Sequence, residues 1–239
     1  MALTAAIRDD IPAYLAELKQ WLKDTENQPL EGMAAFFENR LGEYEAHMSA
    51  WRDAYRRFAD FVPEDARDLL DLGCGTGLEL EPVLAGRPDR QVTGIDLCPA
   101  MLAKCRRKFP QARLLCADYL TAEVGEAAFD CVLSFQSLHH FYPAVKGRLF
   151  KKVYRALKPG GLFLEADYLA CCGEEEALLA AALEARRRRD GLQAGAAVHF
   201  DIPLTVEHEA ALIEAAGFAP PEIPGSIAGA TFVLARRPL

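Results

Sequence analysis

The chain has 239 residues, of which 51% are hydrophobic and 26% are charged, the composition of an ordinary globular protein. Its formal net charge of −8 disfavours a protein that holds duplex nucleic acid by broad phosphate neutralisation, although a local basic groove stays open. Because Arg8, Asp9 and Asp10 interrupt the N-terminus and no uncharged run is long enough to cross a bilayer, we expect neither a signal peptide nor a membrane span.

The first 65 residues predict a helical cap. Apolar residues recur every three or four positions from Ile11 to Leu22, and again from Met48 to Val62, where Pro63 ends the pattern. The segment from Gln28 to Gly32 interrupts the helical pattern between them. We therefore assign residues 1–65 to the cap and residues 66–239 to a separate core.

From residue 66 onward, short apolar runs alternate with helical segments. The predicted strands are Leu69–Leu72, Val92–Ile95, Arg113–Cys116, Cys131–Phe135, Leu162–Leu164, a short run near Glu222 and Ala230–Ala235. The predicted helices among them are Leu78–Ala85, Pro99–Phe109, Val145–Leu157 and a segment from Thr205 to Ala216. This alternation predicts an α/β fold, a doubly wound Rossmann-like sheet of seven mostly parallel strands.

A helical insertion is predicted at about residues 169–204, and we expect it to form a lid together with the cap. Its helix starts near Glu174 and ends with the arginines Arg186–Arg189. We interpret these arginines as charges that complement the helix dipole on a solvated face. A nucleic-acid patch is the alternative.

A glycine loop follows the first predicted strand, in the segment Leu69-Leu-Asp-Leu-Gly-Cys-Gly-Thr-Gly77. Glycine permits positive φ and lets the backbone approach a ligand closely. The loop lacks the third glycine of G-x-G-x-x-G, which would fall at Leu78 or Leu80, so a nicotinamide oxidoreductase is disfavoured. Acids end the second and third strands at Asp96 and Asp118.

Over residues 68–167 the ordered set of motifs resembles the class I S-adenosylmethionine-dependent methyltransferases. The further matching segments are Val92–Asp96, Leu115–Asp118, Phe129–Phe141 and Leu157–Gly161. The resemblance implies S-adenosylmethionine as cofactor, with Asp96 at the ribose hydroxyls and Asp118 at the adenine. The residues expected around the cofactor are Asp71, Gly73, Cys74, Gly75, Thr76, Gly77, Asp96, Leu97, Met101, Asp118, Tyr119, Phe135, Gln136 and Tyr44.

Aromatic and histidine side chains are the other candidates for the site. Aromatic faces stabilise a cationic sulfonium, and the cap supplies Tyr44 first and then Phe36, Phe37 and Trp51. His139 and His140, just beyond the fourth strand, are the predicted catalytic bases, with capping and packing as the alternative roles, and His199 is a second candidate. No metal site is predicted, because the acid pattern of catechol-type methyltransferases is not evident.

The acceptor is expected to be a small molecule methylated at oxygen, nitrogen or carbon. No Asn/Asp-Pro-Pro-Tyr follows the fourth strand and no Pro-Cys occurs, so two devices for methylating bases or amides lack support. An RNA methyltransferase that uses Arg186–Arg189 and Arg106–Lys108 is one alternative, and a non-catalytic cofactor-binding module is another. Seven cysteines without C-x-x-C predict reduced thiols in the cytoplasm, and we expect a monomer or a homodimer.

Overall fold

A computed structural model describes residues 9–193 and 195–239 of the chain. Residues 1–8, which include part of the predicted cap, lie outside the described residues. The helices are α1 (Ile11–Asp24), α2 (Met33–Arg40), α3 (Tyr44–Met48), α4 (Arg52–Phe61), α5 (Leu80–Leu84), α6 (Pro99–Lys108), α7 (Pro143–Ala156), α8 (Gly173–Arg189) and α9 (Val206–Ala215). The strands are β1 (Asp68–Leu72), β2 (Gln91–Asp96), β3 (Arg113–Cys116), β4 (Phe129–Phe135), β5 (Leu157–Asp167), β6 (Glu222–Ile227) and β7 (Ala230–Arg236).

The strands form one seven-stranded sheet in the order β3-β2-β1-β4-β5-β7-β6. Neighbours among β1 to β5 pair parallel, whereas β7 pairs antiparallel with both β5 and β6. The predicted α/β class and mostly parallel sheet are therefore confirmed. Because the strand order reverses between β1 and β4, their carboxyl ends form the switch point at which such sheets bind ligands.

Strand alternation builds an apolar core on each face of the sheet. Leu69 of β1 packs with Phe58 of α4 on one face, while its neighbour Leu70 packs with Phe150 of α7 on the other. A third cluster joins α1 to α8 through leucines of both helices, among them Leu15 and Leu179. The N-terminal helices and the segment after β5 therefore pack against each other.

A short backbone seam also joins these two segments. Gly32 and Val198 form an isolated antiparallel bridge. Beside it, the amide of Met33 donates to the carbonyl of Ala197 over 3.0 Å, and the amide of His199 donates to the carbonyl of Glu31 over 2.9 Å. These contacts link the start of α2 to the loop that follows α8.

Three predicted elements differ from the structure. The helix expected from Leu78 begins at Leu80, because the amide of Gly77 closes a turn onto the carbonyl of Cys74 at 2.7 Å. The long helix expected after Met48 is interrupted by a 3-10 turn, where the Ser49 hydroxyl bonds back to the carbonyl of Ala46 at 2.7 Å. The strand expected at Leu162–Leu164 already begins at Leu157, where it pairs with β4, and residues 158–161 form a bulge inside β5.

The arginine run at the end of α8 is only partly the solvated face that was predicted, because Arg188 and Arg189 are exposed whereas the first arginine is not. Arg186 is buried, and its guanidinium donates to the hydroxyl of Thr25 at 2.7 Å. Arg187 donates to two backbone carbonyls in the following loop, and Arg189 bonds Asp190 and the carbonyl of Gln28. These contacts join the end of α8 to the segment that follows α1. Within the described ranges, no helix combines the length and apolarity needed to cross a bilayer.

Candidate functional site

A cavity of about 400 Å³ opens at the switch point of the sheet. The loops after β1 and β2 contribute Gly73, Gly75 and Asp96 to its wall, and the loop after β3 contributes Asp118. The other predicted residues on the wall are Leu97, Met101, Tyr119, Phe135, Gln136, Tyr44 and His140. Segments distant in sequence therefore meet around one space, as the motif order predicts.

The glycine loop needs glycine for two separate reasons. Gly73 and Gly75 have φ values of +77° and +48°, in the left-handed region that side chains disfavour. A Cβ on Gly73 would also lie 2.1 Å from the Ser137 hydroxyl, so a side chain cannot be accommodated there. The loop thus presents bare backbone to the cavity.

Asp96 ties this loop to the tip of β2. One carboxylate oxygen accepts a hydrogen bond from the amide of Gly75 at 2.8 Å, and the other accepts one from the amide of Cys98 at 2.7 Å. Burial raises the pKa of Asp96, and these amide hydrogen bonds oppose that effect. The carboxylate is therefore held in one orientation at the cavity wall and keeps lone pairs for a ligand.

Four predicted cofactor residues do not line the cavity. Asp71 points to the face of the sheet that carries Leu69 and is fully buried, where burial raises its pKa. Cys74 packs on Gly94, Gly77 packs under Phe109, and Thr76 is also buried. These side chains support the loop from behind rather than facing a ligand.

The aromatic candidates separate into two groups. Tyr44 and Phe37 line the cavity, and the Tyr44 hydroxyl lies 3.5 Å from the position of a Cβ on Gly75. Phe36 stacks instead on the His199 ring at a centroid distance of 3.4 Å, and Trp51 packs against the core. Only the first pair is placed to contact a ligand in the cavity.

His139 is buried in an ion pair and does not line the cavity. Its Nδ1 contacts Asp167 at the end of β5, and its Nε2 lies 3.5 Å from Asp201. Burial would lower the pKa of His139, but the charges of the two aspartates outweigh it and raise the pKa to about 10. Because an imidazolium cannot accept a proton, His139 is unsuited to act as a base at neutral pH.

His140 and His199 remain neutral near pH 7. Burial and the neighbouring charge of His139 lower the pKa of His140, which lines the cavity. Burial also lowers the pKa of His199 to about 3. The prediction of a base therefore stays with His140, whose Nδ1 lies 3.3 Å from both the carbonyl of Phe200 and Asp201.

Comparison with known proteins supports the predicted family. Residues 69–161 match the family described as "Methyltransferase domain". The chain is 36% identical to demethylmenaquinone methyltransferase of Thermus thermophilus over 54% of this chain and 59% of that protein. It is 34% identical to trans-aconitate 2-methyltransferase of Variovorax paradoxus over 48% of this chain and 49% of that protein. Residues 69–161 therefore match a methyltransferase domain, and these matches support the resemblance of the chain to the class I S-adenosylmethionine-dependent methyltransferases.

The fold of solved methyltransferases agrees with this resemblance. Human N-acetylserotonin methyltransferase, solved in complex with S-adenosylmethionine, superposes with a TM-score of 0.64 at 20% identity, over 95% of this chain and 66% of that one. The chain spans between 23% and 59% of the length of the curated relatives it matches. The predicted family and fold are confirmed, as is the predicted cofactor class.

The methyltransferase site fits S-adenosylmethionine on its own chemistry. Fixed acceptor oxygens at Asp96 suit ribose hydroxyls, and the side-chain-free backbone at Gly73 and Gly75 leaves room for close approach. Tyr44 and Phe37 bring aromatic rings to the same cavity, which suits a sulfonium cation. The residues present therefore match the group that the family uses.

Two acids of the site were missed in the sequence. Asp167 ends β5 just as Asp96 ends β2, so its place at a strand tip was a usable signal. Asp201 follows His199 in a loop without regular structure, and no spacing rule connects it to His139. One ligand atom from each of His139, His140 and Asp201 lies within 4.8 Å of the others, a grouping that the sequence did not predict.

Proposed function

We propose that this chain transfers a methyl group from S-adenosylmethionine to a small-molecule acceptor that carries an anionic group. The supporting observation is the makeup of the cavity wall. Asp96 and the glycine loop suit the cofactor, while α7 and α8 add Arg148 and Arg187. Arg148 forms no ion pair with a carboxylate in the described part of the chain, so its charge is available to an acidic ligand, whereas the guanidinium of Arg187 already donates to the carbonyls of Ala196 and Gln193.

The chain's own residues would bind, orient and enclose the reactants. S-adenosylmethionine supplies an electrophilic methyl group on a positively charged sulfur. Asp96 would hold the ribose, and Tyr44 would bring its ring toward the glycine loop from the cap. Ala197 and Val198 of the post-α8 loop close the wall from the other segment. Holding the acceptor in line while excluding water supplies much of the acceleration in such a displacement.

We assign His140 as the polar side chain that contacts the acceptor. It lines the cavity as a neutral imidazole, whereas His139 is sequestered between two carboxylates. Nδ1 of His140 faces Phe200 and Asp201, which leaves Nε2 to contact the acceptor. A neutral nitrogen can accept a proton from a hydroxyl or orient it by a hydrogen bond.

A relative with an acidic substrate supports the anionic acceptor. Trans-aconitate 2-methyltransferase is by its name a methyltransferase of a carboxylic acid anion. The RNA alternative loses its main support, because Arg186, Arg187 and Arg189 bond within the chain. The cytoplasmic location and the monomer or homodimer stay predictions, the former consistent with seven free cysteines.

The test combines cofactor binding with labelled methyl transfer. Calorimetry with S-adenosylmethionine and its demethylated product should show saturable binding. Transfer of labelled methyl should then favour small carboxylates over their neutral amides and over an RNA pool. Binding without transfer would leave a non-catalytic module, label in RNA would restore the RNA alternative, and absence of cofactor binding would remove the function altogether.

Replacement of Arg148 by glutamine tests the anionic acceptor. Arg148 lines the cavity but is largely exposed, so the loss of its charge should raise the KM for a carboxylate acceptor roughly tenfold, and less in high salt. The cofactor Kd should not change. Arg188→Gln, at an exposed position on α8 that is not on the cavity wall, is the matched control. A weaker cofactor Kd with an unaltered KM would assign Arg148 to the cofactor instead.

A further inference from the structure

The wall between two cavities carries a cluster of imidazoles and a carboxylate. This imidazole–carboxylate cluster consists of His139, His140 and Asp201. His140 lines the cavity described above, and Asp201 lines a second groove of about 410 Å³ beside α1. The cluster therefore lies where the loop after α8 meets the end of β4.

The distances inside the cluster are unfavourable for hydrogen bonds. The Oδ1 atom of Asp201 is buried and has no hydrogen-bond partner among the described residues. It lies 3.5 Å from Nε2 of His139 and 3.3 Å from Nδ1 of His140, both beyond the usual N–H···O range. Ligand atoms bound to one metal ion at about 2.0–2.2 Å are separated from each other by about 3.0–3.5 Å. The two separations from Asp201 fall in that range, and all three ligand atoms lie within 4.8 Å of one another.

A second carboxylate fixes the orientation of His139. Asp167 contacts Nδ1 of His139, which directs Nε2 toward Asp201. Asp167 is itself held by the amides of Leu138 at 2.8 Å and Tyr168 at 2.9 Å. A carboxylate behind a histidine, with the other ring nitrogen pointing at further ligands, is the usual support of a metal-binding histidine.

The charges around the cluster favour a cation. Asp167 and Asp201 bring two negative charges to a pair of imidazoles, and the nearest buried lysine, Lys146, is engaged by Glu209. The Asp201 side chain is 43% exposed on the groove side, which gives an ion a path to the cluster. Two imidazole nitrogens and one carboxylate suit Zn²⁺ and neighbouring divalent transition metals better than Mg²⁺ or Ca²⁺.

We propose that His139, His140 and Asp201 bind a divalent transition metal ion, which displaces the Nε2 proton of His139 into solvent, with Asp167 as a positioning residue. The ion would fasten the loop after α8 to the end of β4, because Asp201 belongs to the first and the histidines follow the second. With its Nδ1 on the metal, His140 would turn Nε2–H toward the acceptor as a hydrogen-bond donor, so in the metal-bound protein it would orient the acceptor and would not be the base. This last role rests on the proposed function, whereas the metal site itself does not.

Zinc titration of the full chain tests the proposal. Tag-free protein is stripped with a chelator and titrated with ZnCl₂ by calorimetry, and the zinc environment is read by X-ray absorption. We expect one equivalent bound at submicromolar Kd, with nitrogen and oxygen ligands. Loss of an outer partner alone weakens metal binding about 10- to 100-fold, so Asp201→Asn and His140→Gln should each weaken it at least about 100-fold.

Controls separate this site from other ligands in the chain. His208→Ala removes a histidine that pairs with Glu176 elsewhere and should leave zinc binding unchanged. Cys171→Ser removes one of two adjacent thiols and should also have no effect. The thermal transition of each variant shows whether it folds. Because there are two ligand variants, the test still holds if one of them does not fold.

Three results would overturn the metal site. They are absence of stoichiometric zinc binding, binding retained in both ligand variants, and sulfur ligands at about 2.3 Å in the absorption spectrum. Cofactor binding is measured on the same stripped protein. If the cofactor binds and zinc does not, the proposed methyltransferase function is retained and the metal site is rejected. His139 is then the protonated partner of Asp201.

Discussion

The Asp96→Ala variant is expected to bind S-adenosylmethionine about 10- to 150-fold more weakly than the native chain. This range corresponds to about 1.5–3 kcal/mol, the usual value of hydrogen bonds to a charged group. The variant loses the ribose contacts and also the two bonds that hold the amides of Gly75 and Cys98. The measurement is the calorimetric Kd, together with the thermal transition of the cofactor-free protein.

A control for Asp96 lies at the other end of the same strand. Asp89 precedes β2 on the surface and pairs with Arg87, so Asp89→Ala makes the same change of charge far from the cavity. Its Kd should equal that of the native chain. An Asp96 variant that binds with native affinity would remove this carboxylate from the site.

Replacement of Lys146 by alanine is expected to destabilise the protein by about 3–5 kcal/mol. The Lys146 ammonium lies 2.6 and 2.7 Å from the two carboxylate oxygens of Glu209. Lys146 belongs to α7 and Glu209 to α9, and both side chains are buried. The variant leaves a buried carboxylate without a counter-charge, near Glu165, whose pKa is raised by burial. The melting temperature should fall by roughly 10 °C.

Two further variants show whether burial is the cause. Lys158 bridges Asp68 and Asp130 at the surface, so Lys158→Ala should cost no more than about 1 kcal/mol. The double variant Lys146→Met with Glu209→Leu removes both charges and should recover much of the loss. If Lys146→Ala and Lys158→Ala melt at the same temperature, the buried ion pair stabilises the fold no more than the surface one.

The core of the fold was predictable because local pattern and global topology agree there. The strands β1, β2 and β4 are short, mostly apolar and largely buried, and β2 ends in the carboxylate Asp96 at the switch point. The exceptions arise where a local contact overrides the pattern. The Ser49 hydroxyl donates a hydrogen bond to the carbonyl of Ala46 and interrupts the helix that the apolar spacing predicts. The turn at Gly77 places the start of α5 two residues later than predicted.

The candidate site was predictable only in its sequence-local part. Gly73, Gly75 and Asp96 follow from motif and strand order, and all three line the cavity. The behaviour of His139 depends on Asp167 and Asp201, which are 28 and 62 residues further along the chain. No periodicity carries that information, so two adjacent histidines with the same apparent role acquire different charges once the chain folds.

The seam between Gly32 and Val198 bears on the kinetics of this protein. We expect a reactant too large for the cavity mouth to enter only when the N-terminal helices and the loop after α8 shift, and the backbone hydrogen bonds beside the seam favour a joint movement. For bulky acceptors, we therefore expect this opening to limit turnover more than the methyl transfer itself.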